Sequence, residues 1–356
     1  MSDVRFWFGV LMVYALIASV IPVWVLLQPR DYISSWLLYL GLGLGFLGLI
    51  VAHPNLQAPA VVALSSPTQG PLWPMLFVLI ACGAISGFHS LVASGTTAKQ
   101  LAREGLGRKI GYGSMILEAV LAIMVVMIAA AALSWDPAAQ KSAFGLQYLM
   151  TAANAGGGGG PIVAFATGFG KVVDVLPGIS LVAGTYFGML MLNAFVITTL
   201  DTATRLGRFI LTEAGGAKYR LLNNRWLTTL ATVAAAALLA STGGVKTIWP
   251  VFGAANQLVA ALALVVVSSY LIGVKRPRLY TVLPAIFMLL TTIGALIFEM
   301  TGFFAMGTAR GYLLGSVSVI LTALALYIAF EAKDIFLFIK GKREPIVDPH
   351  PAWSRE

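Results

Sequence analysis

The sequence predicts an all-α, polytopic membrane protein with about nine transmembrane helices plus one re-entrant or extracellular hairpin. Three observations predict it. Of 356 residues, 59% are apolar and only 10% are charged, whereas a soluble domain is about 45–50% apolar and about 25% charged. The apolar residues fall in runs of about 20, the length that crosses a hydrocarbon core of about 30 Å. The basic residues collect in alternate connections between those runs, as the positive-inside rule requires. A water-soluble globule lacks enough polar surface at this composition, and a disordered chain would be poor in apolar residues. The net charge of +9 does not point to nucleic acid, because the charges fall where a bilayer forces them.

In chain order the spans are residues 6–27, 33–51, 74–94, 113–134, 179–200, 226–243, 251–273, 279–299 and 311–332. The stretch 143–178 is apolar but holds five consecutive glycines at 156–160, then Pro161, Gly168, Gly170 and Pro177. Glycine and proline at that density oppose a continuous helix. Bare backbone cannot face lipid, so this piece is expected to be buried in protein or to lie at the surface. Residues 1–338 form the transmembrane domain, and 339–356 read as a polar tail without apolar periodicity that contains His350.

Charge placement decides whether the glycine-rich stretch crosses. If it does not, 18 of the 23 basic residues fall on one side and 5 (Arg5, Lys141, Lys171, Lys246 and Arg310) on the other. If it crosses, the cluster Arg205, Arg208, Lys218, Arg220 and Arg225 changes sides and the asymmetry collapses. A hairpin entering from outside is therefore expected, with Met1 outside and the C-terminus in the cytoplasm. The segment 205–225 reads either as an interfacial helix on anionic lipid or as a solvated basic loop.

Polar residues inside spans carry the functional expectations. Gly83 and Gly87 stand four apart, as do Ser86, Ser90 and Ser94, with His89 beside them. Either a broken helix there lines a substrate path, or the stripe is a close-packing seam with a hydrogen-bonded histidine. Glu118 either handles a proton or pairs with a basic neighbour such as Lys109. Asn193, Thr198, Thr199, Asp201 and Thr202 crowd one helix end. Hydroxyls with a carboxylate are hard oxygen ligands suited to a coupling cation or proton. The alternative is that Asp201 simply pairs with Arg205 at i+4.

Asn256 and Gln257, just past Trp249 and Pro250, are expected to hydrogen-bond between helices, with substrate contact as the alternative. Glu299, at an outer helix end, reads as interfacial. GLGLGFLG at 41–48 lies in a span without a flanking strand and reads as helix packing. The single cysteine, Cys82, excludes disulfide, cysteine-zinc and iron–sulfur frameworks. No enzyme signature is present: no Gly-x-Ser-x-Gly, His-Glu-x-x-His or Walker lysine motif.

PVWVLLQPRDY (22–32), ACGAISGFHSLVASGTTAKQL (81–101) with GRKIGYGSMILEAVLAIM (107–124), and WPVFGAANQLVAALAL (249–264) resemble the carbon starvation protein A family over almost the whole chain. The resemblance implies a bacterial inner-membrane secondary transporter for small peptides or pyruvate-like carboxylates, proton-coupled or driven by sodium, linked to carbon starvation and without a cofactor. It implies the inverted-repeat fold of the amino acid–polyamine–organocation superfamily, with the span 74–94 as a broken helix and 143–178 as an extracellular hairpin. It adds support for Ser86, Gly87, His89, Thr198, Thr199 and Asp201; with the residue reading above, substrate is expected at Gly83, Ser86, Gly87, His89 and Ser90, and the coupling ion or proton at Glu118, Thr198, Thr199 and Asp201. Family members carry further helices before the Pro-Arg-Asp-Tyr motif. The chain is therefore expected to be N-terminally incomplete, with an upstream-encoded half as partner. A non-transporting membrane subunit or sensor is the competing expectation.

Overall fold

The computed structural model describes residues 4–58, 61, 64–66, 70–80, 83, 85–133, 161–216, 218–242 and 245–333. The chain opens with helices α1 (Val4–Val20) and α2 (Val23–Ala52), then a two-stranded antiparallel ribbon, β1 (Ser65–Ser66) with β2 (Gly70–Pro71). A π-helical turn, Leu72–Leu76, leads into α3 (Phe77–Leu79). Helix α4 (Gly87–Val92) continues through a second π turn, Ala93–Thr97, and a 3-10 turn, Ala98–Gln100. There follow α5 (Leu106–Met127), ending in a π turn at Ile128–Ala132, α6 (Pro161–Val173) and α7 (Leu181–Gly215). The last helices are α8 (Arg225–Thr242), α9 (Val245–Gly273), α10 (Leu279–Ala305) and α11 (Ala309–Glu331).

Among the described residues, six helices are long and apolar enough to cross a membrane: Val23–Ala52, Leu106–Ala132, Leu181–Gly215, Trp249–Gly273, Leu279–Ala305 and Ala309–Glu331. Three more are apolar but shorter: Phe6–Val20, Ile162–Val173 and Arg225–Ala240. The nine expected spans thus become six helices of spanning length, two short ones, and the run 74–94, which is broken. Helix α6 is the short helix from the glycine-rich stretch. Its 13 residues rise about 20 Å at 1.5 Å each, short of a hydrocarbon core of about 30 Å. The first part of that stretch, including the five glycines, lies outside the described residues, as does the tail 339–356.

The chain divides into two compact units, residues 1–63 with 116–238 and residues 64–115 with 239–356. In the first, Leu42, Leu49, Met124, Ile128, Phe165, Phe169, Val172, Val173 and Met191 form the main core. The GLGLGFLG run supplies its close packing, as expected. Gly41 faces Met191 and Phe187, Gly45 faces Met124 and Phe169, and Gly48 lies against the Val172 backbone. Their spacing of four and three puts all three on one helix face. Gly43, on another face, meets nothing within 4 Å. Helices α6 and α7 form a tight hairpin through the turn at Gly178 (φ +85°), with Gly170 facing Gly184.

Two expectations in this unit are corrected. The connection expected at residues 28–32 is helix: α2 begins at Val23 and runs through Pro29, Arg30 and Asp31. The break stands earlier, at Ile21–Pro22, because proline has no N–H to continue α1. Arg205 and Arg208 lie in neither an interfacial helix nor a solvated loop. They belong to the 35-residue helix α7 and are buried. The reason for Arg205 is local. Without an amide hydrogen on Pro22, the Ala18 carbonyl loses its helical donor, and the Val25 N–H that would serve Ile21 bonds Pro22 instead. Arg205 Nη2 donates to both orphaned oxygens, at 3.1 Å to Ala18 and 2.6 Å to Ile21.

In the second unit, α9, α10 and α11 pack in sequence, with a core of Leu258, Ala260, Ala261, Met288, Leu289, Ala325 and Ile328. The segment Leu72–Leu79 lies on α9 and α10, where Gly253 meets Val78 and Gly294 meets Pro74. Glu299 is not interfacial: it is buried on α10, because α11 folds back over that end of the helix.

The glycine face makes a matched test. A Cβ on Gly48 would stand 2.6 Å from the Val172 carbonyl oxygen, so G48A is expected to lose about 1–3 kcal/mol. G43A, with open space, is expected to be neutral. Thermal unfolding of the two variants in detergent checks this; equal midpoints would refute the packing role.

Candidate functional site

The apolar run 74–94 does not form one helix. Helix α3 stops at Leu79 and α4 starts at Gly87. The described non-helical residues between them are Ile80, Ile85 and Ser86, and Ser86, directly before Gly87, is extended (φ −117°, ψ 121°). Gly87 is required by its neighbour: a Cβ there would strike the Asn256 carbonyl oxygen and stand 2.6 Å from the Ala260 nitrogen, so α4 starts directly on the α9 backbone.

Two adjacent α9 side chains hold the two arms of the break. Asn256 Oδ1 accepts from the Phe88 N–H at 2.8 Å and from Ser86 Oγ at 3.2 Å. Gln257 Nε2 donates to the Phe77 carbonyl at 2.6 Å, and its Oε1 accepts from Thr292 Oγ1 of α10 at 3.3 Å. Both residues are buried, near the middle of the 29-residue α9. The expectation of interhelical bonding is met, with a more specific content: one residue serves α4 and the next serves α3.

The substrate residues expected from sequence fall around this break. Ser86 caps α4, accepting from the His89 N–H at 3.3 Å. Ser90 Oγ donates to the Gly87 carbonyl at 2.6 Å, and Ser94 Oγ to the Leu91 carbonyl at 3.2 Å. Gly83 and His89 are exposed, Ser86 and Ser90 partly buried, and Gly87 buried.

The coupling-ion residues fall in the first unit. Asp201 is fully buried and forms an ion pair with Arg30 of α2. Tyr14 of α1 donates to Asp201 Oδ2 at 3.3 Å and accepts from Arg30 Nη1 at 2.7 Å. Arg30 also reaches Asp31 at 2.7 Å. The Asp201 hydrogen bonds therefore run to α1 and α2 rather than to Arg205, one turn further along α7, which bonds the end of α1. Thr198 and Thr199 both donate to the Phe195 carbonyl of their own helix, at 2.7 and 3.1 Å. Glu118 is partly buried on α5. Sequence reasoning missed Tyr14 and Arg30 as partners of Asp201; the Pro-Arg-Asp-Tyr run (29–32), polar among apolar spans, is the signal that marks Arg30, and Tyr14 stands alone in an apolar run.

Losing one partner of a buried ion pair leaves an uncompensated charge and costs about 3–5 kcal/mol. D201N and R30M are each expected to lower stability by that order, and R30M/D201L to recover more than half of it. Fluorescence-detected thermal unfolding checks this. A D201N variant as stable as the parent would mean that the pair is not structural.

The family described as "Carbon starvation protein CstA" matches residues 1–295. The chain is 36% identical to "Peptide transporter CstA" of Mycobacterium tuberculosis over 75% of its length and 42% of that protein. It is 34% identical to "Pyruvate/proton symporter BtsT" of Escherichia coli over 83% of its length and 52% of that protein. A "Peptide transporter CstA" of Bacillus subtilis is 29% identical over 90% of this chain and 58% of its own length. No solved structure matches. The chain spans about half the length of the curated relatives it matches. It is a multi-pass membrane protein, and it belongs to the carbon starvation protein CstA family.

Proposed function

We propose that the chain is part of an inner-membrane secondary transporter, not an enzyme, that moves a small peptide or a pyruvate-like carboxylate together with a proton. The observation that carries this reading is the helix interrupted near the middle of a span, with its two arms held by Asn256 and Gln257. An interrupted helix frees main-chain donors and acceptors from their internal bonds, and it does so where surrounding protein shields them from lipid.

Substrate binds beside the break, with Gly83 next to it in the sequence. Ser86, His89 and Ser90 offer hydroxyl and imidazole groups to a carboxylate or a peptide carbonyl. Rocking about the two arms would alternate access while α9 keeps its grip on both. Asp201, with Thr198 and Thr199, and Glu118 are the polar groups of the first unit that this reading links to the coupling ion. In the case of Asp201 this requires the Arg30 pair to open during the cycle. The connections rich in lysine and arginine face the cytoplasm, and the C-terminus lies on that side. The names of the peptide-transporter and pyruvate/proton-symporter relatives support the substrate classes.

The test is uptake of labelled pyruvate and dipeptides into vesicles containing the chain or a longer relative with the same residues, with and without a pH gradient. N256A, which removes the acceptor for Phe88 and Ser86, is expected to lower uptake at least tenfold at unchanged protein level. No uptake by a longer relative carrying these residues overturns the reading, and full uptake by N256A removes the break from it.

A further inference from the structure

We propose that Glu299 takes up and releases the coupling proton; this rests on the transport reading above and changes which carboxylate performs its central step. Glu299 is only 5% exposed, and among the described residues neither carboxylate oxygen has a hydrogen-bond partner. Asp201, by contrast, is held by an arginine and a tyrosine. A buried carboxylate without donors cannot keep its charge cheaply. A proton is the smallest ligand that removes the charge, and a lone intramembrane acid is where one would bind.

The surroundings fit a proton site that communicates with the break. Glu299 lies between Leu296, which packs with Val78, Ala254 and Leu321, and Phe303, which packs with Val251 and Leu314. The antiparallel register of α10 with α11 therefore places Ser318, midway between Leu314 and Leu321, opposite Glu299. Ser318 is fully buried, and its hydroxyl too lacks a hydrogen-bond partner among the described residues. Here are two orphaned groups, one able to donate to the other once the helices shift. Two turns back on the same face of α10, about 10 Å along the axis, Thr292 donates to Gln257, which holds the Phe77 carbonyl. The chain leading into the break crosses this same part of α10, with Gly70 against Phe298 and Pro74 against Gly294. A charge appearing on Glu299 must draw in a donor, and the elements packed around it are α9, α11 and the segment leading into the break.

Few charged or titratable groups compete. On α9 they are Lys246 in the first turn and Tyr270 near the far end, and on α11 Arg310 and Tyr312 in the first turn with Tyr327 and Glu331 at the far end. Arg310 and Tyr312 are exposed. The segment 70–79 has none, and α10 itself adds only Tyr280 near its start.

The experiment compares wild type, E299Q and E299D in vesicles containing the chain or its longer relative, with labelled pyruvate and dipeptide. Two modes are measured: accumulation driven by a pH gradient, and exchange against unlabelled substrate without a gradient. E299Q, isosteric with the protonated acid, is expected to lose accumulation at least tenfold while keeping exchange, and E299D to restore accumulation in part. E299Q accumulating like wild type overturns the proposal, and so does equal loss of both modes with no rescue by E299D. If wild type moves neither substrate, the transport reading fails and the proton site is judged by infrared spectroscopy of the purified chain in lipid. A protonated-carboxyl carbonyl band that responds to pH in wild type and is missing in E299Q supports it; an unchanged band overturns it.

Discussion

Where a helix of this chain stops among apolar neighbours, its backbone groups still need hydrogen-bond partners, and side chains from a neighbouring helix supply them. Lipid offers no substitute, and an unmet backbone group there costs several kcal/mol. At Pro22 the partner is Arg205, which reaches across from α7 to the two carbonyls that the proline orphans. At the gap between α3 and α4 the partners are Asn256 and Gln257. The two repairs differ in chemistry. An arginine carries donors only, so it suits the carbonyl end of α1. The second gap presents a carbonyl on one arm and an amide on the other, which an amide pair meets with one acceptor and one donor.

That constraint accounts for the distribution of polarity. Large apolar side chains such as Trp24 and Tyr280 stand 70% and 85% exposed, while Asp201, Gln257 and Thr292 are essentially inaccessible. With apolar groups on both the outside and the inside, burial of leucine cannot by itself hold helices together. Close approach and hydrogen bonding take its place. The glycine face of α2 and the glycine pair between α6 and α7 supply the first, and the Asp201–Arg30–Tyr14 cluster and the α9 amides supply the second.

Features with a local cause were legible in the sequence. The packing glycines at 41, 45 and 48 show their face by spacing alone, and Gly83 with Gly87 marks the interruption of a run otherwise suited to one helix. What was not legible depends on residues far apart in the chain. Arg205 looks like loop charge until Pro22, more than 180 positions earlier, is placed beside it. Asp201 looks like the i+4 partner of Arg205, because nothing local shows that Arg205 is engaged elsewhere and that Arg30 lies within reach. Glu299 follows an apolar run and reads as its polar end. Only the return of α11 over α10 makes it a buried acid.

These reassignments bear on the orientation proposed for the chain. Counting lysine and arginine by connection treats each as a charge that resists crossing the membrane. Arg30, Arg205 and Arg208 do not belong in that count: the first two bond an aspartate and orphaned carbonyls, and Arg208 is buried within α7. Without them the split is 15 against 5, still strongly one-sided. Ten of these fifteen lie in connections or in the first helical turns that flank them, at Lys99 to Lys109, Lys218 to Arg225 and Lys275 to Arg278, and the other five fall between positions 333 and 355. A guanidinium already engaged inside the protein can be neutralised wherever it lies, so the side of the membrane is marked by the fewer basic residues that are not so engaged. The same distinction explains why the number of basic residues was a poor guide to the segment 205–225. Arg205 ties α7 to α1 and Arg208 is buried, so the basic residues after Gly216 carry what that segment says about the side of the membrane.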